Sequence, residues 1–356
     1  MKLLIISTLM TFLAFAYSVD DESPPPKLSE FKEARSYLDT TQTFDEAYVH
    51  SFFEEWMVQY EKNYSTHDEM IKRREIFKKN LLHIQKFNNE GNNSYRLGIN
   101  QFTDENEDDK SGCVEAIDEL LELEERVSFN ISDKSSLPIF FDWRDHGAVT
   151  PVKKQGKCGS CWAFAATSAI ESLVYISGGD LRNLSPQELI DCDIQNHGCE
   201  GGRPEKAFIY ASRGRRHGIT FESLYPYHAK RQPCNVPKNN RIAVFIDGYT
   251  VLSTTELSVR IAVTHQPVVA VIYIGDPFKR YAGGIFKGPC GYTGRHAVLI
   301  VGYGETHDGV KYWILKNSWG EDWGEEGYIR LLRGDGSTFG LCNILSRPIY
   351  PMYAVL

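Results

Sequence analysis

The chain has 356 residues, 42% apolar and 24% charged, with a formal net charge of −8. That apolar content is enough to bury a core and excludes a globally disordered chain. Residues 1–136 carry 15 basic against 27 acidic side chains and the remainder 24 against 20, which describes two pieces of opposite sign and no basic surplus for nucleic acid.

Taken in order, the chain opens with Lys2, an apolar stretch over residues 3–16 and the small-x-small set Ala16-Tyr17-Ser18. These are the parts of a cleavable secretory signal, assigned to residues 1–18. No later run approaches the roughly 20 apolar residues of a membrane span, so no membrane anchor is expected. Four sequons, at Asn63, Asn92, Asn130 and Asn183, agree with a secretory route and are candidate glycosylation sites.

Residues 45–90 read as helical. Within them Glu69, Arg73, Phe77, Asn80, Ile84 and Asn88 recur at spacings of three and four, which lines them along one helix face. Gly98, Asn100, Phe102 and Asp104 then alternate. An acid-rich segment follows, and residues 113–127, with Val114, Ile117, Leu120 and Leu121 on one side, read as an acidic helix. The default reading of that helix is a solvated linker.

At Leu137-Pro138 the composition turns to Gly-, aromatic- and Cys-rich sequence, marking a second domain over residues 137–356. Gln155 precedes Cys158-Gly159-Ser160-Cys161-Trp162-Ala163-Phe164. Ser160 has N-cap chemistry, the run 162–176 reads as a buried helix, and Gly178-Gly179 ends it. A thiol in the first turn sits at the positive end of the helix dipole, which favours thiolate. The rival reading of Cys158-x2-Cys161 as a redox or zinc motif lacks a second C-x2-C and a preceding strand.

His296 opens an apolar run over residues 296–301, and a second strand pattern covers 311–317 after a turn-like 304–309. A simple hairpin centred between Thr306 and His307 makes His296 and Asn317 direct cross-strand partners, with Cβ atoms about 5 Å apart. A base with an amide to orient it, together with the helix-start thiol, is the equipment of nucleophilic catalysis. Of eight cysteines, seven follow residue 137, so three pairs leave one free there; the count alone leaves the connectivity open.

On the Gln155–Phe164 signature, the residue 69–88 stripe, the 98–104 motif and the 137–144 segment, the chain resembles the papain-like cysteine proteases, cathepsin L-like subfamily, as a preproenzyme, with plant-type relatives nearest. The resemblance implies an α+β fold of two domains, one helical and one an antiparallel β-barrel, with a helical inhibitory propeptide over residues 19–136 (core about 45–104, acidic linker 105–136). It implies disulfides Cys158–Cys199, Cys192–Cys234 and Cys290–Cys342, with Cys161 unpaired and Cys113 left over in the propeptide. Cys161 is then the nucleophile of a peptide-bond hydrolase, His296 the base, Asn317 its orienting group and Gln155 an oxyanion donor, with Trp319 over the His296–Asn317 pair.

By the same resemblance Gly201, Gly202, Arg203, Pro204, Val271, Ala297, Trp319, Trp323 and Arg347 contact substrate. Arg203 and Arg347 depart from the family pattern at the S2 pocket, which suggests tolerance of acidic or polar P2 side chains unless both turn outward to solvent. Arg295 also departs, placing a cation beside His296. No metal or organic cofactor is implied. The expected partners are peptide and protein substrates, the chain's own propeptide and cystatin-type inhibitors, with a monomeric enzyme. Two other classes share these residues: an inactive storage or defence protein on the same scaffold, and an acyl or amide transferase.

Overall fold

The computed structural model describes residues 44–106, 109, 126–127, 137–212, 218–236, 243–292 and 294–355. The signal segment, most of the acidic linker with Cys113, and the sequon at Asn130 lie outside the described residues.

The front piece is two helices, not one. α1 (Glu46–Gln59) is capped by Asp45, whose carboxylate accepts from Tyr48 N, and α2 (His67–Asn89) by Thr66, whose hydroxyl accepts from Glu69 N. The break comes where Asn63-Tyr64-Ser65-Thr66 offer capping groups and no apolar face. Glu69 reaches back to Ser65 N at 3.1 Å, a capping-box arrangement shifted by one residue. Phe52, Phe53, Trp56, Tyr60, Phe77 and Leu81 form a separate small core between the two helices.

The rest of the α2 stripe holds the return of the chain. Arg73 donates to the Asp104 carbonyl at 3.1 Å and to both Asp109 oxygens at 2.8 Å. Asn80 donates to the Thr103 and Glu105 carbonyls, and Asn88 exchanges two hydrogen bonds with Leu97. Asn100 and Asp104 are buried, the latter accepting from Lys62 and Tyr64. Gly98 donates its N–H to the Arg280 carbonyl. The spaced polar residues therefore fasten the loop 98–109 onto the helix.

The strands are β1 (Tyr95–Leu97), β2 (Arg126–Val127), β3 (Phe141–Asp142), β4 (Ile219–Thr220), β5 (Ala243–Leu252), β6 (Val268–Ile274), β7 (Tyr281–Phe286), β8 (Gly294–Glu305), β9 (Lys311–Lys316), β10 (Tyr328–Leu332) and β11 (Ile349–Val355). They join in the order β1-β7-β10-β9-β8-β6-β11-β5-β2, with β3 on β8 and β4 on β5. Both ends of this sheet are strands that precede residue 137. The acidic helix expected over 113–127 is corrected at its end, where Arg126 and Val127 pair in parallel with Val251 and Leu252; their partner strand supplies backbone groups that override a helix-compatible pattern.

The remaining helices are α3 (Cys161–Ile176), α4 (Pro186–Cys192), α5 (Pro204–Ala211), α6 (Glu256–His265) and α7 (Asp276–Lys279). α3 is apolar on almost every side because it is enclosed by α4, α5, β8 and β11. One core gathers around α3, including Trp162, Ile170, Phe208 and Val301; a second lies around the sheet, with Phe278, Trp313 and Trp323. Cys161 starts the helix of the first core and His296 lies on β8, which contributes to both.

The β8–β9 register differs from the simple hairpin. Leu299 faces Lys316 and Ile300 faces Leu315, then a bulge shifts the pairing to Gly302–Ile314. The extra residue moves the partner of His296 beyond Asn317, which itself follows the last residue of β9. His296 instead pairs with Ile272 of β6.

Candidate active site

Cys161 is the first residue of α3 and has no exposed surface. Ser160 occupies the N-cap position without capping: its hydroxyl contacts the Cys158 carbonyl and the Tyr227 hydroxyl at 3.1 Å. The first-turn N–H groups are thus not consumed by the cap side chain, and the helix dipole is directed at the sulfur. The Ala297 N–H points at Cys161 Sγ at 3.2 Å, which brings the sulfur to the start of β8.

His296 Nε2 lies 2.7 Å from Asn317 Oδ1, and the Ser318 N–H donates to the same oxygen at 2.8 Å. An oxygen that accepts a backbone N–H is the carbonyl end of the amide, so His296 Nε2 carries the proton and Nδ1 is left as the acceptor. The bulged register does not prevent the contact, because a diagonal neighbour across a twisted pair is still within reach of an imidazole. Burial pushes the His296 pKa down to about 4, against the opposing effect of the hydrogen bond that His296 donates to Asn317. Arg295 extends over the Tyr273 ring at 5.6 Å, and desolvation rather than this cation dominates the shift.

Trp319 packs its ring 4.5 Å from His296 and meets Trp323 edge-on at 5.1 Å. Trp323 is fully buried and donates its indole N–H to the Lys279 carbonyl. Gln155 is fixed at both ends of its amide: Oε1 accepts from Ser318 Oγ at 2.7 Å and Nε2 donates to the Cys158 carbonyl at 3.0 Å. Its backbone N–H is tied to the Ser318 carbonyl at 2.8 Å. Ser318 and Tyr227 were not singled out in the sequence, since their roles arise from contacts spanning 163 and 67 residues.

The structure contains the disulfides Cys158–Cys199, Cys192–Cys234 and Cys290–Cys342. The expectation that Cys161 is unpaired is corrected: its sulfur is disulfide-bonded in this state, and no cysteine among the described residues is free.

Gly201 adopts φ +122°, and a side chain on Gly202 would strike Asn196 and Trp162 at 2.7 to 2.8 Å. Arg203 and Arg347 do not turn outward. Both are buried, and both bond to Glu205 Oε1 through Nε at 3.2 Å. Pro204 starts α5, and Val271 pairs with Ala297 across β6 and β8. Glu205, between two arginines, is the member of this cluster that sequence reading overlooked. Of the candidate glycosylation sites, Asn63, Asn92 and Asn183 are exposed.

The front piece lies against the site. Gln101 Nε2 donates to the Trp319 carbonyl at 2.9 Å, and Phe102 meets the Trp319 ring at 4.7 Å. β1 adds to β7 by backbone pairing of Tyr95 with Gly284. Asn100 bonds the Lys279 carbonyl, and Glu105 pairs with the buried Lys279 ammonium at 2.9 Å. Burial raises the Glu105 pKa, with Lys279 pulling the other way.

A cysteine at a helix start, an oriented imidazole and a fixed amide, with the chain's own front piece packed against them, define the class of an autoinhibited cysteine peptidase. Comparison with known proteins agrees. Residues 137–352 match the papain family cysteine protease model, and residues 53–109 match the cathepsin propeptide inhibitor domain (I29). The chain is 43% identical over 304 residues to ananain of Ananas comosus, covering 84% of this chain and 86% of ananain. It is 41% identical over 306 residues to papain of Carica papaya, with coverage of 84% and 86%. Among solved structures, a recombinant stem bromelain precursor superposes with TM-score 0.77 at 41% identity, covering 85% of this chain and 98% of that one. Digestive procathepsin L2 from Tenebrio molitor larval midgut gives 0.74 at 34% identity, covering 86% and 100%. The chain belongs to the papain family of cysteine proteases and is a proenzyme, with its propeptide folded against the enzyme.

Proposed function

We propose that Cys161, His296, Asn317 and Gln155 carry out peptide-bond hydrolysis in this endopeptidase. The observation that carries the reading is the His296–Asn317 bond set beside the sulfur of a helix-start cysteine. Once reduced, Cys161 gives up its proton to His296 Nδ1, and the helix dipole stabilises the thiolate. The thiolate attacks the scissile carbonyl while the Cys161 N–H and Gln155 Nε2 receive the oxyanion. Gln155 then exchanges its hydrogen bond to the Cys158 carbonyl for one to the substrate. His296 protonates the leaving amine, and a water deprotonated by His296 releases the acyl group from the thioester. Asn317 keeps the imidazole in the required tautomer, and Trp319 shields that bond from water.

The substrate backbone is taken up along Gly201 and Gly202 as an added strand, with Pro204, Val271, Ala297, Trp319 and Trp323 shaping its surroundings. The Arg203–Glu205–Arg347 cluster is buried with one more positive than negative charge, which supports acceptance of an acidic or polar P2 residue. A P2-Glu substrate cleaved no better than its P2-Leu counterpart removes this part of the reading.

The propeptide is assigned to residues 19–136, after a signal over 1–18, with release by acid-promoted cleavage near residues 134–137 and delivery to the extracellular space or a vacuole or lysosome. No helix among the described residues is long and apolar enough to cross a membrane. Glycosylation at the exposed asparagines, inhibition by cystatin-type proteins and a monomeric mature enzyme complete the reading. The test is titration of reduced, acid-matured protein with an epoxide thiol inhibitor, the adduct located by mass spectrometry. A stoichiometric adduct on Cys161 with parallel loss of peptide hydrolysis is expected; hydrolysis surviving full modification of Cys161 overturns it.

A further inference from the structure

One phenol touches both residues that frame the oxyanion donors. Tyr227 Oη donates to the Gln155 carbonyl at 2.6 Å and lies 3.1 Å from Ser160 Oγ. Gln155 carries one donor on its side chain, and Ser160 shares a peptide unit with the other, the Cys161 N–H. We propose that Tyr227 is a positioning residue for this reaction, its hydroxyl fixing the two oxyanion donors relative to each other. This rests on the reading of Gln155 Nε2 and the Cys161 N–H as those donors.

The direction of each bond follows from its chemistry. A carbonyl only accepts, so the single phenolic proton goes to Gln155, and the Tyr227 oxygen is left to accept from the Ser160 hydroxyl. Burial pushes the Tyr227 pKa up to about 12, so the phenol keeps its proton at neutral and acid pH. Ser160 Oγ also contacts the Cys158 carbonyl at 3.3 Å and makes no cap bond to α3. Its ψ of 15° lies outside the extended conformation of a capping residue. The peptide unit before Cys161 is therefore not set by helix capping, and the tether to Tyr227 takes that place.

The phenol is itself firmly held. Its ring meets Phe164 of α3 edge-on, with centroids 4.9 Å apart. Pro226 fixes the backbone just before it. On either side, the Tyr225 carbonyl accepts from Ser185 Oγ at 2.6 Å, and the His228 N–H donates to Gln187 Oε1 at 2.8 Å. Ser185 caps α4 and Gln187 lies in its first turn, so both neighbours of Tyr227 are fastened to one helix end.

Gln155 is bonded twice to Ser318, which follows β9 on the far side of the cleft from α3. Toward α3 it has the Cys158 carbonyl and Tyr227. Its amide gives up the Cys158 bond when Nε2 turns to the substrate. The Tyr227 bond then remains to keep Gln155 in step with the start of α3, at the moment when both donors must meet one oxygen.

The test compares reduced, acid-matured wild type with Tyr227→Phe, active sites being counted with the epoxide inhibitor so that unfolded protein drops out. Tyr227→Phe should lower kcat roughly 10- to 10²-fold with KM nearly unchanged, the cost of misplacing donors that are still present. In a Gln155→Ala background the same substitution should cost much less, since one of the groups it positions is already gone. Unchanged kcat overturns the proposal. So does an equal fold-loss in both backgrounds, the signature of a merely structural role. If Tyr227→Phe yields no titratable enzyme, Ser160→Ala breaks the same tether from its other end and is held to the same two comparisons. A wild type that hydrolyses peptides after full modification of Cys161 defeats the catalytic reading and this proposal with it. An active wild type with an equally active Tyr227→Phe defeats the proposal alone.

Discussion

Asn317 Oδ1 sits 2.7 Å from His296 Nε2 although the two residues are not register partners. The bond spans the bulge after Ile300 as a diagonal contact, with Asn317 just beyond the end of β9. It predicts separable effects in the reduced, matured enzyme. His296→Ala should lower kcat for a peptide substrate by ~10²–10⁴-fold or more, through loss of acid–base catalysis. Asn317→Ala should lower it less and shift the pH–rate profile, because the base remains but its tautomer is no longer imposed. Stopped assays across pH distinguish the two.

Gln155 is held by Ser318 and by the Cys158 carbonyl, so its amide is aimed before substrate arrives. Gln155→Ala should reduce kcat ~10²–10³-fold, the usual cost of one oxyanion donor. Ser318→Ala should reproduce part of that loss with KM nearly unchanged. A change confined to KM would count against an oxyanion role.

Gly284 faces the propeptide at very close range. A Cβ there would lie 2.5 Å from the Ser94 carbonyl and 2.7 Å from Tyr95 Cα, on a backbone with φ +92°. Gly284→Ala should weaken inhibition by propeptide added in trans by at least ~10-fold, a difference of about 1.4 kcal/mol. The left-handed backbone adds ~1–2 kcal/mol of destabilisation to the mature enzyme, visible as a lower Tm, while kcat/KM is retained. Inhibition constants measured for both proteins check this.

Acid release of the propeptide is expected to involve His296. In the proenzyme burial holds its pKa at about 4, below the ordinary 6.5, so the docked state resists protonation. Opening the cleft restores solvent and lets the ring take up a proton. A depressed pKa gives a contribution that is complete above pH 6.5 and lost as pH falls toward 4, at up to tenfold in affinity per pH unit. Glu105 acts in the opposite sense: its raised pKa means the docked form takes up protons more readily than the free form. The propeptide inhibition constant should therefore rise from pH 6.5 to 4.5, and more steeply with Glu105→Gln. A flat profile in both would remove His296 from the acid response.

Arg347→Met should shift the P2-Glu to P2-Leu preference toward leucine if the arginine cluster reads the substrate. The same change leaves Glu205 with only Arg203, so the thermal transition of the variant should be followed alongside.

Much of the site was legible because its chemistry is local. The helix-start cysteine, the apolar strand opened by His296 and the spaced polar face of α2 each follow from a few neighbouring residues. The fold class and the propeptide were legible only through the family resemblance that those motifs carry. What was not legible depends on distant partners. A hairpin register cannot anticipate the Val301 bulge, a count of cysteines does not show that the Cys161 sulfur is disulfide-bonded, and Glu205 gains meaning only when Arg203 and Arg347 converge on it. The 126–127 strand belongs to the same group, since its pairing partner is over a hundred residues away.

The outermost strands of the sheet, β1 beside β7 and β2 beside β5, both precede residue 137. Cleavage at the proposed position near residues 134–137 would change more than access to the cleft: it would turn two interior strands into selvages with unpaired backbone groups. Such borders recruit other extended chains. On the β7 side the glycines at 283 and 284 leave little apolar surface to reward a stranger, whereas Val251 and Leu252 of β5 are buried and apolar. Self-association of the mature enzyme in storage, and faster amide exchange on losing the propeptide, should accordingly begin at the β5 border.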